Sequence, residues 1–226
     1  MTRQLVLDLA HRPAFGRQDL LVAPSNAAAV AHLDSWPDWP APGLVIHGPP
    51  ACGKSHLAAV FRARAGARAV DPAALTVDSV PALAGGAVVI DGAGPEIDGR
   101  ALLHLYNLLA ERGGHLLLTA EVPPARWAIH PPDLASRLAA LPTVAVGAPD
   151  ESLLAALLVK HFADRQLAVT PEVVSYLVTR LPRSFAAVAA AAAAMDRRGL
   201  AARRPPTVSL ARDVLREIEQ EIHHGD

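Results

Sequence analysis

The sequence is poor in the features that mark several large classes of protein. Cys52 is the only cysteine, so an internal disulfide is excluded and a reducing compartment is the simple expectation. There is no excess of positive charge: 21 Lys and Arg stand against 22 Asp and Glu, a formal net charge of -1. That excludes the broad basic face of general nucleic-acid binders, and any DNA contact is expected to be local or indirect. The densest basic cluster, Arg197, Arg198, Arg203 and Arg204, reads first as a solvated helix end and loop, with a phosphate contact as the alternative. No apolar run reaches the ~18 residues of a membrane span. The amino-terminal segment holds Asp8, Arg12, Arg17 and Asp19 and no stretch of signal-peptide type. A cytoplasmic protein without membrane contact is expected. The 10 histidines show no metal-ligand spacing, and His223 and His224 read as solvated. Lysine is restricted to Lys54 and Lys160, which looks like compositional bias of the genome.

What is present is apolar surface: 51% of 226 residues, enough for one large domain or a domain with a small companion. Short apolar runs at Leu44 to His47, Ala67 to Val70, Ala87 to Ile90, His115 to Thr119 and Thr143 to Val146 read as strands. Helical spacing lies between them, from Lys54 to about Ala65 and through "DGRALLHLYNLLAERGG", which has a Gly113 stop. Strands separated by helices imply a parallel α/β sheet covered on both faces. From Asp150 the pattern becomes four helices, with Asp150 and Pro171 as start signals and Gly199 as a stop. The alanine run Ala186 to Ala194 reads as a packed helix, because Ala is the best helix former. In the Pro-rich connector "DSWPDWPAP", Trp36 and Trp39 read as packed against the base, with an exposed interface as the alternative.

Residues 48 to 55, "GPPACGKS", match G-x-x-x-x-G-K-S between a strand and a helix. Gly48, Pro49, Pro50, Ala51, Cys52, Gly53, Lys54, Ser55 and the following His56 are the candidate nucleotide contacts. The glycines let the backbone aim its N-H groups at phosphate oxygens, and the helix amino terminus adds partial positive charge. Lys54 is placed to reach the β and γ phosphates, and the Ser55 hydroxyl to ligate Mg²⁺. Cys52 reads as a small filler rather than a redox-sensitive thiol. Asp91, after the apolar run of "AVVIDGAG", is the acid expected to hold Mg²⁺ through water. Gly92 stands where many such ATPases carry a second carboxylate to orient water, so weak hydrolysis by the chain alone is expected, with Glu96 as a substitute of unknown aim.

"FGRQDLLVAPSNAAAVAHL", "GKSHLA", "VVIDGAG", "LLLTAEVPPARW", "DLASRLAAL" and "LPRSFAAV" resemble, in order and spacing, the DnaA-type AAA+ ATPases. Within that family the chain is similar to the short homologues of the Hda group, regulatory inactivators of DnaA, because it ends after the lid helices. The resemblance implies a P-loop AAA+ base with sheet order 5-1-4-3-2 and a small all-helical lid. The expected division is a clamp-binding segment at 1-16, the base at 17-149 and the lid at 150-226. Ser25 and Asn26 in "VAPSN" resemble the segment beside adenine. Glu121 falls at sensor 1, where the family more usually has Asp, and Arg183 at sensor 2. Arg137 in "DLASRL" matches the arginine finger that acts on a neighbour's nucleotide; a guanidinium suits this because it is always charged and forks onto phosphate oxygens. Leu134, Ala135 and Leu138 are expected to bury that helix and leave Arg137 projecting.

Residues 4 to 9, "QLVLDL", alternate with the period of a strand, yet the Gln-Leu-x-Leu form resembles peptides that dock into the bacterial sliding clamp. Gln4 would make directional hydrogen bonds, with Leu5, Leu7 and Leu9 as anchors and Asp8 where an aromatic is often found. The family resemblance implies bound ADP or ATP with Mg²⁺, and as partners DnaA and the β subunit of DNA polymerase III, the sliding clamp. DNA is then reached only through the clamp, and a homodimer is compatible. The leading expectation is a regulator that stimulates hydrolysis of DnaA-bound ATP and represses re-initiation. The alternatives are an adaptor or loader that recruits initiator or helicase without triggering hydrolysis, and a stand-alone small ATPase. Deleting residues 1 to 9 is predicted to abolish clamp binding in a pull-down and leave the melting temperature nearly unchanged. A large loss of stability would instead mark the segment as a strand of the fold.

Overall fold

The computed structural model describes residues 20–83, 85–202 and 206–224; Gln4, Leu5, Leu7, Asp8 and Leu9, like Arg203 and Arg204, lie outside them. Strands β1 (Gly43–His47), β2 (Arg68–Val70), β3 (Ala87–Ala93), β4 (His115–Ala120) and β5 (Thr143–Ala145) form a five-stranded sheet in the order β2-β3-β4-β1-β5, and every pairing is parallel. Read from the other edge, this is the expected 5-1-4-3-2. Parallel sheets are covered on both faces, so their strands read as continuous apolar runs whose alternate residues part to opposite sides. Leu44, Ile46, Val89 and Leu117 face one core with Leu57 and Phe61, while Val45, Val88, Ile90, Leu116 and Leu118 face the other with Leu102, Leu105 and Leu109. Helices α1 (Ala27–Asp34) and α2 (Lys54–Ala65) close the first side; α3 (Val80–Leu83), α4 (Gly99–Glu111) and α5 (Pro132–Ala139) close the second.

The Pro-rich connector packs on the base. The Trp39 ring stacks on Phe61 at 5.2 Å between centroids, its indole N-H donates to the His32 carbonyl at 2.7 Å, and Trp36 meets Phe61 edge-on at 5.8 Å.

Four further helices, α6 (Glu151–Asp164), α7 (Pro171–Val178), α8 (Phe185–Ala202) and α9 (Val208–His224), enclose a core of their own around Leu154, Leu158, Phe162, Leu177, Val188 and Met195. The alanine run lies in α8, where Ala187, Ala191, Ala192 and Ala194 are buried; side chains this small let neighbouring helix backbones approach closely. Gly199 does not stop this helix. A glycine stop needs the left-handed conformation after the last turn, whereas α8 continues through Gly199 to Ala202 and packing on α6 and α9 outweighs the ~1 kcal/mol helical cost of glycine. Strand β3 also runs past Ile90: its register on β4 shifts between Ile90 and Ala93, a bulge that carries Asp91 and Gly92.

Asp150 caps α6. Its carboxylate accepts from the Leu153 N-H at 2.8 Å and the Ser152 hydroxyl at 2.7 Å, and these bonds, the Leu153 amide first, hold it below the ordinary aspartate value. Because the folded value is depressed, the capping contribution is fully present above the ordinary value of 3.8 and is lost as pH falls through the lower folded value. Asp150→Ala is therefore predicted to lower the melting temperature at neutral pH and to converge with the parent protein at strongly acid pH, as followed by helical circular dichroism.

Candidate nucleotide site

With every strand pointing the same way, the carboxyl ends of β1, β3 and β4 converge, and ligands of open α/β sheets bind there. The loop from Gly48 to Gly53 leaves β1 and is tied to its neighbours: the Gly48 N-H donates to the Ala120 carbonyl at 3.1 Å and the Val146 N-H to the His47 carbonyl at 2.7 Å. Its curl places Ala51 at φ 57° and Gly53 at φ 100°, a left-handed geometry that glycine adopts without strain. Lys54 folds back over the loop and donates to the carbonyls of Gly48 and Pro49, each at 2.8 Å. Cys52 is buried beneath it, as a filler would be. His47, just before the loop, is held below its ordinary value by burial first and then by the Arg126 and Lys54 cations. The imidazole therefore stays neutral at pH 7, leaving Lys54 as the cation of the loop.

The first amides of a helix lack intrahelical partners; Asp98 and Asp150 cap those of α4 and α6, whereas α2, like α1, α5 and α7, has no side-chain cap. Gly53 occupies the cap position, and a Cβ added there would lie 2.9 Å from the Phe185 ring. Loop and lid thus touch at a residue that must be small.

Two cavities share the loop as a wall. One, of about 460 Å³ between base and lid, is lined by Leu20, Leu21, Leu57, Leu157 and Phe185, with His56, Lys160, His161, Asp164 and Arg165 at its rim. Asn26 also lines it, but both ends of its amide are taken: Oδ1 accepts from the Ala23 N-H and Nδ2 donates to the Leu21 carbonyl, each at 2.9 Å. Asn26 therefore shapes the turn beside the cavity. The backbone carbonyl of Ser25 accepts from the Gly147 N-H at 2.9 Å. The other cavity, of about 610 Å³, brings together Pro50, Ala51, Lys54, Ser55, Asp91, Glu96 and Glu121. The first chamber is largely apolar, and the second gathers Lys54, Asp91, Glu96 and Glu121.

Several expected residues sit apart from these cavities. Arg183 lines neither; it pairs with Glu151 at 3.0 Å, both exposed. Arg137 also lines neither. It is exposed on α5, whose Leu134 and Leu138 are buried, and its guanidinium stands 5.9 Å over the Tyr106 ring. Ala135, expected on the buried face, is exposed, because α5 packs through a narrow stripe, Leu134 and Leu138, one turn apart. The residue missed in the sequence is Thr119, fully buried and bonded to Asp91. Its signal was a single hydroxyl inside the apolar run of "HLLLTA".

Comparison with known structures defines the class first. The chain matches domain III of the replication initiation protein DnaA from Thermotoga maritima with a TM-score of 0.76 at 16% identity, covering 91% of this chain and 97% of that one. AMPPCP-bound DnaA from Aquifex aeolicus matches with a TM-score of 0.69 at 13% identity, over 84% and 67% of the two chains. The RuvB Holliday junction branch migration motor from Thermotoga maritima matches with a TM-score of 0.64 at 12% identity, over 77% and 61%. These likenesses show the AAA+ fold, a parallel base with a helical lid. More particularly, residues 150–215 match the family model of the Hda lid domain. The lid thus resembles that of the Hda family, and the base beneath it has the fold of DnaA domain III. No curated protein matches it in sequence.

Because Phe185 joins lid to loop through a half-buried ring, Phe185→Ala is predicted to cost about 2 kcal/mol, less than the ~3–5 kcal/mol of a fully buried aromatic. The expected signature is a lower denaturant midpoint, with faster amide exchange in the first turn of α2 than in the sheet.

Proposed function

We propose that this chain is a nucleotide-binding regulator that, docked on the DNA-loaded sliding clamp, stimulates hydrolysis of ATP held by DnaA and so represses re-initiation of replication. The reading rests on an Hda-type lid over a DnaA-like base, and the observation that carries it is the placement of Arg137. That side chain projects from the surface on a helix held by two buried leucines, outside its own chain's cavities and with no carboxylate partner among the described residues. A permanently charged fork so presented serves a phosphoryl group on another molecule rather than its own.

Its own site serves as a structural switch that takes ADP or ATP. The uncapped amino end of α2 and the loop amides hold the β phosphate, and Lys54 exchanges its two loop carbonyls for phosphate oxygens. The Ser55 hydroxyl and the Asp91 carboxylate, the latter through water, are the oxygen donors for Mg²⁺. Held there, the ion would supply positive charge to offset the negative charge of the phosphates. Glu121 and Arg183 act as the two sensors, Arg183 by exchanging Glu151 for phosphate. Gly92 argues against a stand-alone ATPase: its φ of 82° favours glycine, so the second carboxylate is replaced by a residue suited to the bulge. Contact with the clamp is assigned to Gln4, Leu5, Leu7, Asp8 and Leu9.

The test is phosphate release from ATP-loaded DnaA with clamp on DNA and this protein in its ADP form. Stimulation by the intact chain is expected, and Arg137→Ala is expected to reduce the stimulated rate by on the order of 10³, as for arginine fingers elsewhere. An Arg137→Ala protein that stimulates fully overturns the finger. Absence of stimulation by the intact chain, with clamp binding confirmed, replaces the inactivator with an adaptor.

A further inference from the structure

Among the described residues only Asn26 and Thr119 are buried polar side chains, and the turn before α1 accounts for Asn26. Thr119 lies one residue from the end of β4, fully buried. Its hydroxyl oxygen accepts from the Gly92 N-H at 2.8 Å, and its proton goes to Asp91 Oδ1. These directions are forced: a backbone amide can only donate, an ionised carboxylate can only accept, and a hydroxyl has one proton. The two bonds therefore form a directed chain from the Gly92 amide through Thr119 to Asp91.

The chain has a mechanical consequence. Asp91 leaves the regular ladder on the bulge between Ile90 and Ala93, and its side chain is exposed in the cavity that also contains Lys54 and Ser55. A carboxylate there would sample several rotamers. Thr119 instead joins its Oδ1 to a buried strand through a stiff β-branched side chain and a charge-assisted bond, roughly twice as strong as a neutral one. The same hydroxyl satisfies the Gly92 amide and so fixes the bulge from which Asp91 projects. Among the described residues the other acids of the cavity have no comparable anchor: Glu96 folds back over Gly94, and Glu121 is exposed beyond the end of β4.

We infer that Thr119 is a positioning residue for Asp91: it sets the carboxylate's orientation toward a divalent cation carried with the nucleotide. This rests on the nucleotide-binding reading above. A residue that only stabilised the fold would alter nucleotide affinity equally with and without the cation. A residue that aims Asp91 alters the cation-dependent part alone.

The experiment is calorimetric titration of the full chain with ADP, once with Mg²⁺ and once with EDTA. The parent protein is expected to bind more tightly with Mg²⁺. Thr119→Val is expected to lose about tenfold of that tightening, the lower end for residues that orient a metal ligand, with affinity in EDTA unchanged. Thr119→Ser keeps the hydroxyl and is expected to retain the Mg²⁺ response. Should the valine variant not fold, Thr119→Cys, a weaker donor of similar size, is expected to show the same selective loss. A folded valine or cysteine variant with the full Mg²⁺ response, or one weakened equally in both conditions, overturns the assignment of Thr119 alone. A parent protein that binds no ADP in either condition overturns both this inference and the nucleotide reading.

Discussion

The parallel direction of all five strands is the constraint on which the rest of the molecule depends. Parallel neighbours require a crossover between them, so helices cover both faces and the central strands β1, β3 and β4 are mostly apolar and buried. The same direction brings the ends of β1, β3 and β4 to one edge. That edge gathers Gly48 to Ser55, Asp91 and Thr119, residues far apart in the chain. The phosphate loop can be short and tightly curled because Ala120 and Val146 anchor its base by backbone hydrogen bonds.

The lid completes the site through shape more than charge. Phe185 rests against Gly53, where a Cβ would lie 2.9 Å from the ring, and with Leu20 and Leu157 it walls an apolar chamber. Arg183 is held by Glu151 in an exposed pair. Such pairs contribute about 0–1 kcal/mol, so the guanidinium is cheaply released. The lid therefore keeps its seat by packing, while Arg183 is held only by an exposed pair.

Gly92 and Arg137 point the same way functionally. The bulge after Ile90 asks for a left-handed residue, and glycine there leaves the site without the second acid adjacent to Asp91. Arg137, by contrast, is directed outward on α5. Both features agree with the function proposed above, in which the chain acts on nucleotide held by another protein.

Much of this was legible in the linear sequence. The five apolar runs announced a sheet covered on both faces, because strands with two buried faces have no polar side. "GPPACGKS" announced the loop, because close phosphate approach restricts the residues tolerated there; Asp150 and the alanine run announced two helices by local capping and propensity. Where local signals competed with packing they misled: α8 continues through Gly199, and α5 packs only through Leu134 and Leu138, leaving Ala135 exposed. Three further matters were decided by tertiary structure alone. Asn26 is spent on its own turn, Arg183 is paired with Glu151, and Thr119 is bonded to Asp91 across two strands. Each depends on partners between 3 and 32 positions distant, and the choice of partner among many candidate donors and acceptors is made by the fold. The sequence by itself determined the alternation of strands and helices and the place of the glycine-rich loop, through periodicity and backbone sterics. Only the tertiary structure decided which polar groups are committed to one another, because a hydrogen bond's partner is a matter of distance and direction in space.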